Sequence, residues 1–214
     1  MNRKLTVFAM ALIVAEVAAT FLLYPHMTAQ IPAHWNIHGQ ADRFGPRYSL
    51  FFYGPGLTLL IVVFGALAPW LSPRPFNIES FGPTYRRILA RLFLLFAYID
   101  AVMLWAAAGH AFHPGRAILT GASLILILLG NLMGKVRPNF YVGFRTPWTL
   151  ASERVWRATH RFGAYSLVLC GLLGCIGSLF GLFLPVLVLM VAGSFAPALY
   201  SLIYSKQLER RGEV

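Results

Sequence analysis

The sequence predicts an all-α polytopic membrane protein with about six transmembrane helices. Apolar residues make up 58% of its 214 residues and charged residues only 12%, whereas soluble domains contain roughly 45–50% apolar residues. Six runs with few or no charges reach roughly the 20 residues that a helix needs to cross a bilayer core about 30 Å thick. Lysine and arginine concentrate in alternate loops between these runs, as is typical of membrane proteins. Together these observations exclude a soluble globular domain.

The six predicted spans follow one another along the chain, and the last two are cut from one long apolar tract. That tract is about twice as long as one span requires, so we divide it where Gly181 and Pro185 indicate a turn. The N-terminal run resembles a signal peptide, but Glu16 interrupts it and we expect it to be retained as span one. The predicted spans are Leu5 to Tyr24, Leu50 to Leu71, Ile88 to Gly109, Ala117 to Gly134, Ala164 to Leu184 and Pro185 to Tyr204.

The distribution of cations predicts the orientation. Of the 18 lysines and arginines, Arg43, Arg47 and Arg116 fall in the first and third loops, and the others lie in the second and fourth loops and at the two ends. Because short cytoplasmic loops carry the excess of lysine and arginine, both termini are predicted to be cytoplasmic. The net charge of +11 then reflects topology and attraction to anionic membrane lipids, and we expect no direct binding of nucleic acid.

The first loop, residues 25–49, is predicted to face outward and contains three histidines. His34 and His38 would share one helical face and are the candidate pair for a metal, which would make the protein a metalloenzyme. Pro32 and Gly39 leave little room for a helix there, so we predict no metal, no cofactor and no enzymatic activity. The loop instead offers aromatic and turn-forming residues for contact with a ligand. These are Trp35, Asn36, Gly39 and Asp42.

The fourth loop, residues 134–163, is predicted to face inward and carries six cations. Gly134 and Gly143 prevent a continuous helix in its first part. From Ser152 onward we predict a short interfacial amphipathic helix that leads into span five. The basic stripe of this helix, at positions i, i+3 and i+7, consists of Arg154, Arg157 and Arg161.

Membrane anchoring accounts for the charges of the fourth loop but not for its planar side chains and special backbone positions. An arginine can bind a carboxylate or phosphate through two parallel hydrogen bonds, and a tryptophan ring can accept a cation on its face. Composition therefore leaves lipid anchoring and partner recognition both open. The candidate partner-binding residues are Arg137, Asn139, Arg145, Thr146, Trp148, Thr149, Trp156 and His160.

Polar groups within the spans require partners, because an ionised carboxylate at the bilayer centre costs at least about 2.5 kcal/mol. Glu16 lies in span one and Asp100 in span three, and Asn131 is a third intramembrane polar residue. The two acids indicate either a proton-linked pathway or interhelical hydrogen bonds that hold the bundle together. We favour hydrogen bonds, because the spans supply no basic residue at matching depth and two acids form no evident relay. The oligomeric state is left open.

Residues 130–164 resemble the signature of the SdpI immunity-protein family, GN-x-x-G-K-x-R-x-N-x-x-x-G-I-R-T-P-W-T-L followed by V-W-x-x-T-H-R. Phe144 stands where isoleucine is usual. The first loop resembles the N-terminal module of unknown function found in that family, through its P-x-H-W-N and G-x-x-D elements. We therefore expect a single membrane domain over residues 1–214, with an N-terminal module at 1–72 and an SdpI-like part at 73–214.

The resemblance implies a multi-pass immunity protein or signal receptor of the bacterial inner membrane that protects its cell against a secreted, membrane-active peptide toxin. The first loop would meet the toxin at the outer face. In the best-known member of the family, a transcriptional repressor is held at the cytoplasmic face, which makes a repressor a second candidate partner. The alternative function is a small proton-coupled transporter or efflux protein that uses Glu16 and Asp100.

Overall fold

The computed structural model describes residues 1–110 and 112–213, and six of its helical segments are long and apolar enough to cross a membrane. The predicted six spans are therefore confirmed. Spans three and five begin earlier than predicted, at Ile78 rather than Ile88 and at Glu153 rather than Ala164. The six segments are Arg3–His26, Arg47–Leu71, Ile78–Ala107, Pro114–Met133, Glu153–Leu179 and Phe183–Arg210.

The α-helices are α1 (Arg3–Leu23), α2 (Leu57–Leu71), α3 (Gly82–Ala107), α4 (Pro114–Met133), α5 (Pro147–Ala151), α6 (Glu153–Leu179) and α7 (Phe183–Arg210). A π-helical turn at Phe52–Gly56 precedes α2 and contains Pro55, which has no N–H to donate. Gly181, with φ of +71°, makes the turn between α6 and α7, which confirms the division of the last apolar tract.

The predicted interfacial helix is not separate from span five. Ser152 caps α6 by accepting the N–H of Val155 at 3.4 Å, and the helix then runs without interruption for 27 residues. It has no internal proline to break it, so the basic stripe forms its first turns. Only the five-residue α5 lies before it as a distinct short helix.

The first loop contains an antiparallel hairpin that the all-α prediction missed. Strand β1 (Gln30–Trp35) pairs with β2 (Ala41–Pro46), with Trp35 opposite Ala41. Between the strands, the side chain of Asn36 accepts the N–H groups of His38 and Gln40 at 2.9 and 3.1 Å. Gly39 adopts a φ of +74°, so the predicted turn at Asn36 and Gly39 is confirmed.

The hairpin and the fourth loop lie at opposite ends of the helix bundle. At one end, the tip of the hairpin packs on Gly115 and Phe183, the beginnings of α4 and α7. At the other end, Phe76 of the second loop lies 4.4 Å from Phe140 of the fourth loop, measured between ring centroids. Leu5 near the N-terminus shares a core there with Trp156, and Arg154 pairs with Glu213 near the C-terminus at 2.6 Å. Both termini thus lie at the end that holds the fourth loop.

Glycines bring α4 and α6 into close contact. A Cβ on Gly171 would come within 2.6 Å of the carbonyl oxygen of Ser123, and one on Gly130 within 3.0 Å of Cβ of Leu167. Small residues let membrane helices approach closely where no hydrophobic force drives them together. One core runs through both parts of the chain, since it joins Ala9 and Ala68 to Leu167 and Trp156.

Candidate functional site

Asn139 organises the first part of the fourth loop from a fully buried position. Its Nδ2 donates to the carbonyl oxygens of Arg137 and Val142, at 2.8 and 3.0 Å. Its Oδ1 accepts the N–H groups of Tyr141 and Val142, at 2.8 and 2.7 Å. With its donors and its acceptor occupied by its own loop, the side chain acts as a scaffold and does not present a surface to a partner.

Thr146 and Thr149 fix the second part of the loop by capping α5. The N–H of Thr146 donates to Oγ1 of Thr149 at 2.8 Å, and the N–H of Thr149 donates to Oγ1 of Thr146 at 3.2 Å. The buried Thr149 hydroxyl also donates to the carbonyl oxygen of Phe144 at 2.9 Å. The Thr146 hydroxyl lies 2.9 Å from that of Ser201, which ties the loop to α7.

Trp156 and His160, one turn apart on α6, anchor the loop to span five. Both are buried and stack with ring centroids 4.0 Å apart, and Nε1 of Trp156 donates to the carbonyl oxygen of Val136 at 2.8 Å. The backbone N–H of Phe144 donates to Nε2 of His160 at 3.1 Å. Because Nε2 accepts, the ring proton lies on Nδ1, which donates to the carbonyl oxygen of Trp156 at 2.9 Å. The geometry therefore selects the neutral tautomer of His160 that carries its proton on Nδ1.

Two glycines make room for this arrangement. Gly143 has a φ of +101°, and a Cβ there would overlap Nε2 of His160. Gly163 on α6 faces the ring of Phe144, which occupies the space that a side chain would fill. Phe144, at the position where the signature that it resembles has isoleucine, is thus accommodated by a glycine on the facing helix.

Three exposed cations of the fourth loop line a polar cleft of about 430 Å³ at the end of the bundle that holds this loop. Lys135, Arg137 and Arg157 line it together with a single acid, Glu153. Glu153 lies 4.0 Å from Arg137 and 3.7 Å from Arg157. Three cations around one carboxylate leave the cleft positive, so it suits a carboxylate or phosphate group. Lys135, Glu153 and Arg157 were not among the predicted site residues.

The predicted residues of the fourth loop therefore separate into two groups. Arg137 and Arg145 are exposed, and Trp148 and Thr146 are half-buried. The guanidinium of Arg145 donates to the carbonyl oxygen of Phe140 from the loop surface. Of the predicted residues of the fourth loop, these four are the ones accessible at its surface. The interior of the loop is formed by Asn139, Thr149, Trp156 and His160.

A second candidate site lies under the hairpin at the opposite end of the bundle, where an apolar cavity of about 360 Å³ is lined by β1, α3, α4 and α7. The hairpin contributes Trp35, Asn36 and Gly39 to its wall. The ring of Phe183 meets Gly39 so closely that a Cβ there would overlap it. The deeper lining is Ile99, Met103, Ile118, Leu119, Leu187 and Met190.

His34 pairs across the hairpin with Asp42, at 2.6 Å between Nδ1 and Oδ1. His34 belongs to a strand and His38 to the turn, so they do not share a helical face. Within residues 1–110 and 112–213, no three metal-ligating side chains lie close enough together to hold a metal ion.

The two intramembrane acids meet the same segment of the bundle. Oε1 of Glu16 accepts the hydroxyl of Thr58 at 2.9 Å, and the carboxyl of Asp100 occupies the space beside Gly54, one turn earlier. Among the residues that the structure describes, Oε2 of Glu16 and Oδ1 of Asp100 have no hydrogen-bond partner. The interhelical hydrogen bond expected of Glu16 is present, whereas Asn131 lies exposed on α4.

Comparison with known proteins finds similarity in both parts of the chain. Residues 135–205 match the model of the SdpI/YfhL protein family, and residues 11–66 match a domain of unknown function, DUF1648. The Immunity protein SdpI of Bacillus subtilis (strain 168) is 25% identical over 211 residues, which cover 96% of this chain and 98% of that protein. No solved structure matches this chain.

Proposed function

We propose that this chain is an immunity protein of a bacterial inner membrane, which protects its cell against a secreted, membrane-active peptide toxin, because residues 135–205 match the model of the SdpI/YfhL protein family and the chain is 25% identical to an immunity protein. The observation that carries the proposal is the likeness to an immunity protein over 96% of the chain, which includes both the hairpin and the fourth loop. The proposal assigns the protein no enzymatic activity.

In this proposal the toxin binds at the outer end, where the cavity under the hairpin receives one of its apolar side chains. A membrane-active peptide is rich in apolar groups, and the lining by Ile99, Met103 and Leu187 offers them an apolar environment at the outer membrane surface. The exposed His34–Asp42 pair supplies polar contacts at the rim. Such a site, apolar within and polar at its edge, is typical of ligand pockets.

The inner cleft supports a second part of the proposal, the binding of a partner protein at the cytoplasmic face. Lys135, Arg137 and Arg157 present their charges around a space large enough for one acidic side chain. An arginine that binds a carboxylate through two parallel hydrogen bonds adds geometric selectivity to charge attraction. The partner would therefore be a protein with an exposed acidic segment, and a transcriptional repressor is one candidate.

The experiment is expression of the protein in a toxin-sensitive bacterium, followed by measurement of survival against membrane-active peptide toxins. We expect survival to rise for a toxin of the matching type and to remain unchanged for an unrelated pore-forming peptide. Met103→Trp, which fills the outer cavity, should reduce protection at unchanged membrane abundance. Leu172→Trp, at an exposed position on α6, is the matched control. The absence of protection against any secreted bacterial peptide toxin would contradict the proposal.

Proton-coupled transport or efflux is the second candidate function, and the meeting of Glu16 and Asp100 at Gly54 and Thr58 favours it. Transport requires the acids to gain and lose a proton. Asp100→Asn would then abolish activity in a protein that still inserts normally, whereas immunity by toxin binding at the hairpin would persist.

A further inference from the structure

Glu16 and Asp100 are both buried, with 5% and 2% of their surfaces accessible. They come from α1 and α3 and converge on the segment from Gly54 to Thr58. Gly54 and Thr58 are one helical turn apart, so the two carboxyls approach each other on this segment. Two ionised carboxylates at this depth would combine the cost of burial with mutual repulsion.

The immediate surroundings do not offset that cost. The Thr58 hydroxyl supplies one hydrogen bond to Oε1 of Glu16, at 2.9 Å. Within the described part of the chain, two of the other three oxygens of the pair, Oε2 of Glu16 and Oδ1 of Asp100, are buried without a hydrogen-bond partner. Gly54, whose missing side chain makes the space for the Asp100 carboxyl, contributes no donor from a side chain. A proton on one carboxyl would remove a charge and supply the donor that the unpartnered oxygens need.

The elements packed around the pair bring no cation to it. Helix α2 carries no lysine, arginine or acid. On α3 the nearest cation, Arg91, lies roughly two and a half turns away and donates to the carbonyl oxygen of Leu128 on α4. On the segment that leads into α2, Arg47 donates to the carbonyl oxygens of Tyr24 and Met27. On α1, Arg3 and Lys4 lie roughly three turns or more from Glu16. On the other elements, Tyr53 and His34 are exposed, and His34 is paired with Asp42.

We propose that Glu16 and Asp100 form a proton-binding site inside the membrane, where the pair holds a proton at neutral pH. The ligand of this site is the proton, and a hydrophobic carbodiimide is the reagent that detects it. The carboxyl O–H adds across one C=N bond of the reagent to give an O-acylisourea that rearranges to a stable N-acylurea. The addition consumes a protonated carboxyl, releases nothing and needs no further reactant. This inference is independent of the proposed immunity function.

The test uses the full-length protein in vesicles of phosphatidylethanolamine and phosphatidylglycerol, treated with dicyclohexylcarbodiimide in neutral and in strongly alkaline buffer. Peptide mass spectrometry locates the adduct. We expect it on Glu16 or Asp100 at neutral pH, with labelling lost at alkaline pH, while the exposed Glu153 and Glu209 of the same sample remain unlabelled. The double variant with Glu16→Gln and Asp100→Asn should give no adduct in this region.

Three results would overturn the proposal. One is the absence of an adduct at neutral pH in folded protein, since it would mean that both carboxyls are ionised. Another is equal labelling in neutral and alkaline buffer. The third is protection from labelling by sodium chloride but not by choline chloride, which would identify the pair as a sodium site. The wild-type measurement decides the question even if the double variant fails to fold.

Discussion

The backbone N–H of Phe144 donates to Nε2 of His160 at 3.1 Å, across 16 residues of chain. This bond and the one from Nδ1 to the carbonyl oxygen of Trp156 occupy both ring nitrogens. The buried imidazole thereby fixes the fourth loop to the first turns of α6.

His160→Ala should therefore release the loop. It leaves the Phe144 N–H unpaired in the interior and removes the ring that stacks on Trp156, so we expect the free energy of unfolding to fall by on the order of 2 kcal/mol. Thermal unfolding in detergent measures the change. His160→Gln retains an acceptor for the N–H and should lose less. Equal stability of His160→Ala and the parent would contradict the scaffold role.

Gly143→Ala should be strongly destabilising, whereas Gly134→Ala should be tolerated. At Gly143 a side chain meets an unfavourable φ of +101° and overlaps His160, and backbone strain of this kind costs on the order of 1–3 kcal/mol. Gly134 has a φ of −63°, and no described atom lies within 4 Å of an added Cβ. The comparison of the two unfolding midpoints checks this prediction. Similar midpoints would mean that the loop can move away from α6.

Arg145→Lys should weaken protection against the toxin although it preserves the charge. Lysine lacks the planar fork through which Arg145 holds the Phe140 carbonyl and presents its outer N–H groups. Trp148→Ala on the same surface should act likewise, and Asn139→Ala should act by loosening the loop itself. Arg210→Gln, at the end of α7, is the control and should leave protection unchanged.

Survival assays at matched membrane abundance show whether the fourth loop acts through its individual residues or through its charge alone. If Arg145→Lys and Asn139→Ala protect like the parent, while removal of any two cations of the loop abolishes protection, the loop acts through its charge alone.

Reporter fusions should place residue 40 outside and residues 80, 148 and 210 inside the cell. The reason is the concentration of lysine and arginine at the end of the bundle that holds the fourth loop. Alkaline phosphatase and green fluorescent protein fusions give opposite signals on the two sides. A cytoplasmic signal at residue 40 would invert every loop assignment.

Glu16→Gln should retain protection. The amide can still accept the Thr58 hydroxyl, which lies 2.9 Å from Oε1, and it resembles the protonated acid in shape while carrying no charge. We expect only a modest change in thermal stability. Complete loss of protection in a normally inserted variant would favour the transporter function.

Hydropathy and charge predicted the number of spans and the common side of the termini, because the bilayer imposes a minimum length on each helix and a bias on each loop. The hairpin was missed because Pro32 and the short strands obscure the alternation that identifies a sheet. The continuity of α6 was missed because its polar first turns resemble an interfacial helix. Its amphipathic pattern does not reveal whether the helix ends before the span begins.

The roles of individual residues were harder to predict than the spans. Asn139 was expected on a recognition surface, but the turn after Arg137-Pro138 folds around its amide. Its tendency to bond to backbone two residues away was the available signal. The meeting of Glu16 with Asp100 depends on the relative depth and rotation of α1 and α3. A single sequence does not specify these.

Helix α7 touches both ends of the molecule, since Phe183 lies against Gly39 at its start and Ser201 bonds to Thr146 further along, at 2.9 Å. Because α7 is one continuous helix from Phe183 to Arg210, a displacement of its first turn is passed along the helix to its later turns. If the proposed toxin displaced Phe183 from the hairpin, the same helix would carry the movement to Ser201 and the cap of α5. An extracellular event could therefore reach the cytoplasm as a movement of one helix, with no molecule crossing the bilayer.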